Sequence, residues 1–174
     1  MCHYLRVASS RLLPGGRIRV ETLIRAPFDD VWRHTQEPAL HERWDARFTR
    51  IRYLPRASLE APQRFEYSRR VLPGLTISGT GETVGERHRW DGTATSALLF
   101  ASSHPLSPIV RGSGFWQYVP TPDGIRFITE YDYEPRWGRV GRALDRAVLR
   151  PVMAWLTARS FDRLRCWLEI GVEP

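Results

Sequence analysis

Two aromatic-rich stretches, GSGFWQYV at 112–119 and IRFITEYDY at 125–133, flank the turn sequence PTPDG at 120–124. If they pair as a hairpin, strand alternation puts Trp116 and Tyr118 on one face with Phe127, Thr129 and Tyr131. That face mixes aromatic bulk with hydroxyls, which suits an apolar molecule carrying a few polar groups. A third stretch, QRFEYSRR at 63–70, places Phe65, Tyr67 and Arg69 on one face. An arginine turned into a cavity is costly unless a carboxylate or an anionic ligand meets it. In APFDDVWRHTQEPALHERW, Trp32 reads as packing for a short helix, and Trp44 either as plain core or as a pocket edge. The candidate ligand-binding set is therefore Trp44, Phe65, Tyr67, Arg69, Trp116, Tyr118, Phe127, Thr129 and Tyr131. This set can bind a molecule; it does not by itself break a bond.

Other chemistries find little support. His34 and His41 lie seven residues apart across a helix break, and HERWD at 41–45 is not a zinc spacing such as H-E-x-x-H. His88 falls beside a turn and His104 in a loop, so no metal is expected. GTGETVG at 79–85 has a last glycine spacing one residue too long for a dinucleotide fingerprint, and no helix follows it. Its glycines read as places where a sheet bends sharply. RGSGF at 111–115 is not a nucleophile elbow. No cofactor is implied, no catalytic residue is assigned, and the reading leans away from an enzyme.

The chain has 174 residues and a formal net charge of +7. All 26 basic residues are arginine, and lysine and asparagine are both absent. That pair of absences points to codon bias, and the arginines are scattered among Asp and Glu, so no nucleic-acid partner is expected. Cys2 and Cys166 make no disulfide framework. With no secretory leader and no long apolar run, the expectation is a cytoplasmic protein.

The elements that must position the candidate residues follow from periodicity. RIRVETLIR at 17–25 alternates as a half-buried strand after a flexible segment, 1–16. Two short helices are predicted at about 28–35 and 37–43, with Pro27 and Pro38 at their starts. Strands follow at 47–54, 63–70, 75–84, 93–100, 112–119 and 125–133, seven in all. Residues 140–170 read as one long helix that Pro151 kinks or divides. Its stripe of Leu144, Val148, Pro151, Val152 and Trp155 is expected to face inward, with Arg139, Arg142, Arg146 and Arg150 on a solvated face. The weakly polar stretch 97–110 could be a lid over a cavity mouth or a surface that touches membrane.

In VETLIRAPFDDVWRHTQEPALHERWDARF, the residues Ile24, Ala26, Pro27, Val31, Trp32, Pro38 and Trp44 match in type and spacing a segment of the START-like (SRPBCC) superfamily. The element order resembles the same superfamily over 17–174. The resemblance implies an α+β helix-grip fold: a curved seven-stranded antiparallel sheet wrapped around a long C-terminal helix, with two short helices after the first strand. It implies a cavity between sheet and helix, and a small hydrophobic ligand: a lipid, an isoprenoid or a polyketide-like molecule, bound and carried. A transient membrane-surface contact would fit such a carrier. The alternative is a polyketide cyclase, aromatase or dehydratase using the same cavity, with Arg69, Tyr67, Tyr131 or His88 supplying proton transfer or oxyanion stabilisation. Nothing in the sequence indicates an oligomeric state.

Overall fold

The computed structural model describes residues 8–58 and 61–174. Strand β1 (Ser9–Leu12) leads to β2 (Ile18–Ile24), then α1 (Phe28–Gln36) and α2 (Pro38–Trp44). Strands β3 (Arg50–Tyr53), β4 (Gln63–Leu72), β5 (Leu75–His88), β6 (Ala94–Ala101), β7 (Ile109–Thr121) and β8 (Gly124–Pro135) follow. The chain ends in α3 (Gly138–Leu144), a π turn over Asp145–Leu149, and α4 (Arg150–Ile170). The strands form one sheet in the order β1-β2-β8-β7-β6-β5-β4-β3, every neighbour antiparallel. This is the α+β helix-grip arrangement, with a long helix against the sheet.

The alternation of β2 is realised: Ile18, Val20, Thr22 and Ile24 are buried, and the residues between them are half-buried. The β7–β8 hairpin has the expected register, Trp116 opposite Thr129 and Tyr118 opposite Phe127, with Gly114 opposite Tyr131. Phe127 then stacks on Phe161 of α4, ring centroids 4.5 Å apart, which joins sheet to helix at the centre of the core. Bends in the sheet come from bulges near Thr83/Gly85 and Arg70/Leu72. Close ring approach also matters. A Cβ at Gly79 would lie 2.4 Å from the Tyr67 ring, and one at Gly81 2.1 Å from the Phe65 ring. These two glycines let aromatic side chains lie flat across the neighbouring strand.

Four expectations are corrected. An eighth strand, β1, pairs with β2 inside the segment read as flexible; residues 1–7 of that segment lie outside the described residues. All four of its side chains are exposed, so it left no alternation to read. The strand expected at 47–54 is shorter, because residues 45–49 turn instead. The interruption of the terminal helix falls one turn before Pro151. There Arg150 N–H bonds to Asp145 O, a widened turn that accommodates the missing Pro151 donor.

The fourth correction concerns the faces of that helix. Leu144, Val148, Val152 and Trp155 are exposed, and the buried face carries Ala154, Thr157, Ala158, Ser160, Phe161 and Leu164. Small residues let α4 approach the sheet closely, and its buried hydroxyls are all bonded. Thr157 Oγ1 meets Tyr131 Oη at 2.8 Å, and Ser160 Oγ donates to Leu156 O at 2.9 Å. Arg150 likewise is not solvated. Its Nε donates to Asp145 and its Nη1 to Asp132, both at 2.8 Å, which ties α4 to the π turn and to β8.

Candidate functional site

Between the concave face of the sheet and α4 lies a cavity of about 300 Å³, at the low end of the usual size for small-molecule sites. Six of the nine candidate residues line it: Phe65, Tyr67 and Arg69 from β4, Trp116 from β7, and Thr129 and Tyr131 from β8. The other three stand behind the wall. Trp44 is fully buried and donates from Nε1 to His34 O at 2.8 Å. Tyr118 is held by Thr35 Oγ1 at 2.6 Å and by Gln36 Nε2 at 2.9 Å. Phe127 is sandwiched between Tyr118 and Phe161. They are core supports that fix the lining residues. His88 lies on the sheet rim beside Trp32 and does not line the cavity. Trp32, stacked on Phe28 of the same helix, packs α1 onto the sheet through Tyr118, as its spacing suggested.

The cavity has an apolar end and a polar wall. Val71 and Ile77 from the β4–β5 hairpin, Pro108 and Ile109 from the β6–β7 connection, and Met153 and Leu156 from α4 form its outer end. Val71 is exposed and the other five are half-buried, so this end is the mouth. Arg69 stands there, half-buried and without a carboxylate partner among the described residues. On the far side, Tyr53 Oη donates to Gln36 O at 2.5 Å and bridges β3 to α1.

The polar wall is built from residues outside the nine candidates. His41 lies in the last turn of α2, and Arg47 and Phe48 sit in the turn that follows the helix; all three line the cavity. Behind them Asp45 is fully buried. Its Oδ1 accepts from Arg47 Nε at 2.9 Å and from Ser160 Oγ at 3.2 Å; its Oδ2 accepts from Arg47 Nη2 at 2.6 Å. His41 Nε2 is 3.0 Å from the same Oδ2. Burial opposes ionisation of Asp45, but the Arg47 charge and the His41 and Arg47 hydrogen bonds prevail and hold its pKa far below the carboxylate range. Burial lowers the His41 pKa more than Asp45 raises it, so the imidazole is neutral near pH 7. An ionised Asp45 can only accept, so His41 carries its proton on Nε2 and leaves Nδ1 as a bare acceptor.

Arg47 lines the cavity, and its guanidinium lies over the Tyr131 ring, 5.6 Å from its centroid. Burial keeps the hydroxyls of Tyr67 and Tyr131 protonated; the Tyr67 pKa is pushed up to about 12. These are hydrogen-bond donors, not bases. One signal for this wall was present in the sequence: HERWDAR places His41, Asp45 and Arg47 at spacings of four and two around a helix end.

A curved antiparallel sheet, closed by a long terminal helix over an aromatic cavity, defines a helix-grip protein of the START-like (SRPBCC) superfamily. Within it, the chain belongs to the polyketide cyclase / dehydrase and lipid transport family, whose model matches residues 16–169. Among curated proteins it is similar to the uncharacterized membrane protein YndG of Bacillus subtilis (strain 168), 44% identical over 158 residues. That match takes in 90% of this chain and 59% of YndG, so the chain spans well under two thirds of its relative's length. Among solved structures it is similar to a STAR-related lipid transfer protein from Xanthomonas axonopodis, with TM-score 0.62, 19% identity, and 90% and 92% of the two chains covered. The aromatase/cyclase ZhuI from a Streptomyces species gives TM-score 0.62 at 14% identity, covering 95% of this chain and 100% of that one. At such identities the likeness is one of fold. Among the described residues no helix is long and apolar enough to cross a membrane.

Proposed function

We propose that the protein binds, and carries, a small amphipathic molecule with an apolar body and one acidic or carbonyl-bearing group. The observation that carries this reading is the combination in one cavity of aromatic and aliphatic walls with the buried Arg47–His41 wall. A wholly apolar cavity would take any oily molecule. This one orients its guest, because Arg69 has no carboxylate partner among the described residues and the guest's polar end can meet it. A family that includes lipid transport supports the reading, and a lipid, isoprenoid or polyketide-like guest meets the requirement.

The test is native mass spectrometry of gently purified protein, followed by solvent extraction and identification of any adduct. A titration with dansyl-labelled undecanoic acid runs beside it. Saturable, one-to-one fluorescence enhancement is expected, reduced at least tenfold in Leu98→Trp, whose indole would occupy the cavity. A bare chain mass together with no saturable dansyl response would sink the proposal.

A second reading, in which the cavity cyclises or dehydrates a polyketide-like chain, is favoured by one feature. A neutral imidazole oriented by a buried carboxylate, with a bare nitrogen, is the arrangement of a general base. The measurement is α-proton exchange of the aromatic ketone β-tetralone in deuterated water, followed by NMR. Exchange accelerated by the protein and abolished in His41→Ala supports this reading; equal rates for both chains remove it.

A further inference from the structure

We infer that the mouth end of the fold is a docking surface for an anionic lipid bilayer, so that the cavity opens toward the membrane. The docking itself stands on surface residues. Its link to ligand uptake rests on the cavity reading above.

Three elements meet around the mouth. Arg136, just before α3, donates from its backbone N–H to Pro108 O and from Nε to Ser107 O, both at 2.8 Å, and from Nη2 to Ser102 O at 2.5 Å. Ser102 Oγ in turn donates to Ser78 O at 2.6 Å. These bonds fix the start of α3, the β6–β7 connection and the β4–β5 hairpin side by side. Each then offers apolar side chains to solvent. The hairpin exposes Leu72, the connection exposes Leu106, and the helical ridge exposes Val140, Leu144 and Val148. Val140 is 77% exposed, and the ridge continues into Trp155, 45% exposed, one residue from the cavity-lining Leu156. Large apolar side chains exposed together on three adjoining elements are unusual on a protein that meets only water.

Charge decides between occupants. From Arg136 to Phe161 the only acidic residue is Asp145, and it is buried, bonded to Arg150 and Tyr133. Arg139, Arg142 and Arg146 are exposed along the ridge, and none pairs with a carboxylate among the described residues. Arg70 adds a further exposed cation at the hairpin. A second copy of this chain would bring the same arginines face to face, and like charges would oppose the contact. A surface of phosphate headgroups over hydrocarbon satisfies both features, as for helices that lie in the interfacial plane.

The experiment is co-sedimentation of the full chain with phosphatidylcholine vesicles, with and without a third of phosphatidylglycerol. Partition at least tenfold stronger onto the anionic vesicles is expected, falling as salt rises. Changing Arg139, Arg142 and Arg146 together to Gln should lower it by on the order of a hundredfold, at about fivefold for each cation. Val140→Glu combined with Val148→Glu should abolish it. Trp90→Glu is the control, since Trp90 is 95% exposed but sits in the β5–β6 turn at the opposite end of the sheet.

Failure to sediment overturns the inference, as does equal loss in Trp90→Glu. So does a dimer, seen by analytical ultracentrifugation, that the Val140/Val148 pair dissociates while no vesicle binding occurs. Dansyl-undecanoate binding measured without vesicles separates the two readings. If it persists where sedimentation fails, the docking is wrong and the cavity stands; if it is lost where sedimentation succeeds, the reverse holds.

Discussion

At the scale of single residues, the site depends on one buried carboxylate. Asp45 neutralises Arg47, orients His41 and anchors Ser160 of α4, so four side chains share one charge balance. Removing one partner of such a pair leaves an uncompensated buried charge, at a cost of about 3–5 kcal/mol. Arg47→Met should therefore destabilise by that amount in urea titration, far more than loss of an exposed pair such as Arg52–Glu66. The pH response follows from the same groups. His41 has a lowered pKa in the fold, so its contribution is complete above the ordinary histidine value, about 6.5, and declines as pH falls below it. Asp45 is also held low, so its contribution is complete above about pH 4 and is lost on further acidification. Stability measured by circular dichroism should fall in two stages, and His41→Gln should erase the upper one. HERWDAR holds His41, Asp45 and Arg47, yet the sequence alone did not show the cluster. Reading 47–54 as a strand puts Arg47 and Phe48 on opposite faces, whereas the observed turn brings both to the cavity.

At the scale of elements, periodicity was legible wherever burial followed hydrophobicity. Strand β2, the β7–β8 register and the two short helices were all readable for that reason. Helix α4 breaks the rule. The first half of its buried face is small and hydroxylated, satisfied by bonds to Tyr131, Asp45 and its own backbone, while Val152 and Trp155 are outside. A hydrophobic stripe counts apolar residues and is blind to which polar ones have partners, so Leu144, Val148, Val152 and Trp155 read as inward and are not, whereas Phe161 and Leu164, which continue the helical spacing, are buried. The sheet's glycines carry a testable consequence of close approach. A Cβ at Gly114 would lie 2.6 Å from Tyr131 Cβ and 2.7 Å from Glu130 O. One of those neighbours is backbone and cannot swing aside, so Gly114→Ala should cost about 1–3 kcal/mol. In a thermal melt this appears as a Tm drop of roughly 2–4 °C per kcal/mol for a chain of this size. The Tyr131 wall of the cavity should shift with it, weakening dansyl-undecanoate binding.

At the scale of the whole molecule, the cavity is a cost that packing does not explain. Side chains in a core ordinarily close gaps, and an open cavity of about 300 Å³ gives up packing contacts that a filled core would make. Here the gap is held open by design of the frame: Gly79 and Gly81 lay the Tyr67 and Phe65 rings flat, small residues face inward on α4, and the Asp45 cluster braces one side. An occupant that binds the folded state alone returns that stability by mass action, about 2.7 kcal/mol at a hundredfold excess over Kd. Two thermal melts then separate a cavity kept for a guest from a merely imperfect core. With dansyl-undecanoic acid at that excess, the wild-type Tm should rise by several degrees. Leu98→Trp, with its cavity already filled, should melt at or above the ligand-free wild type and not respond to the acid. If the variant instead melts well below the wild type, the space is not an open cavity but a mobile core that the indole disrupts, and no guest need be sought.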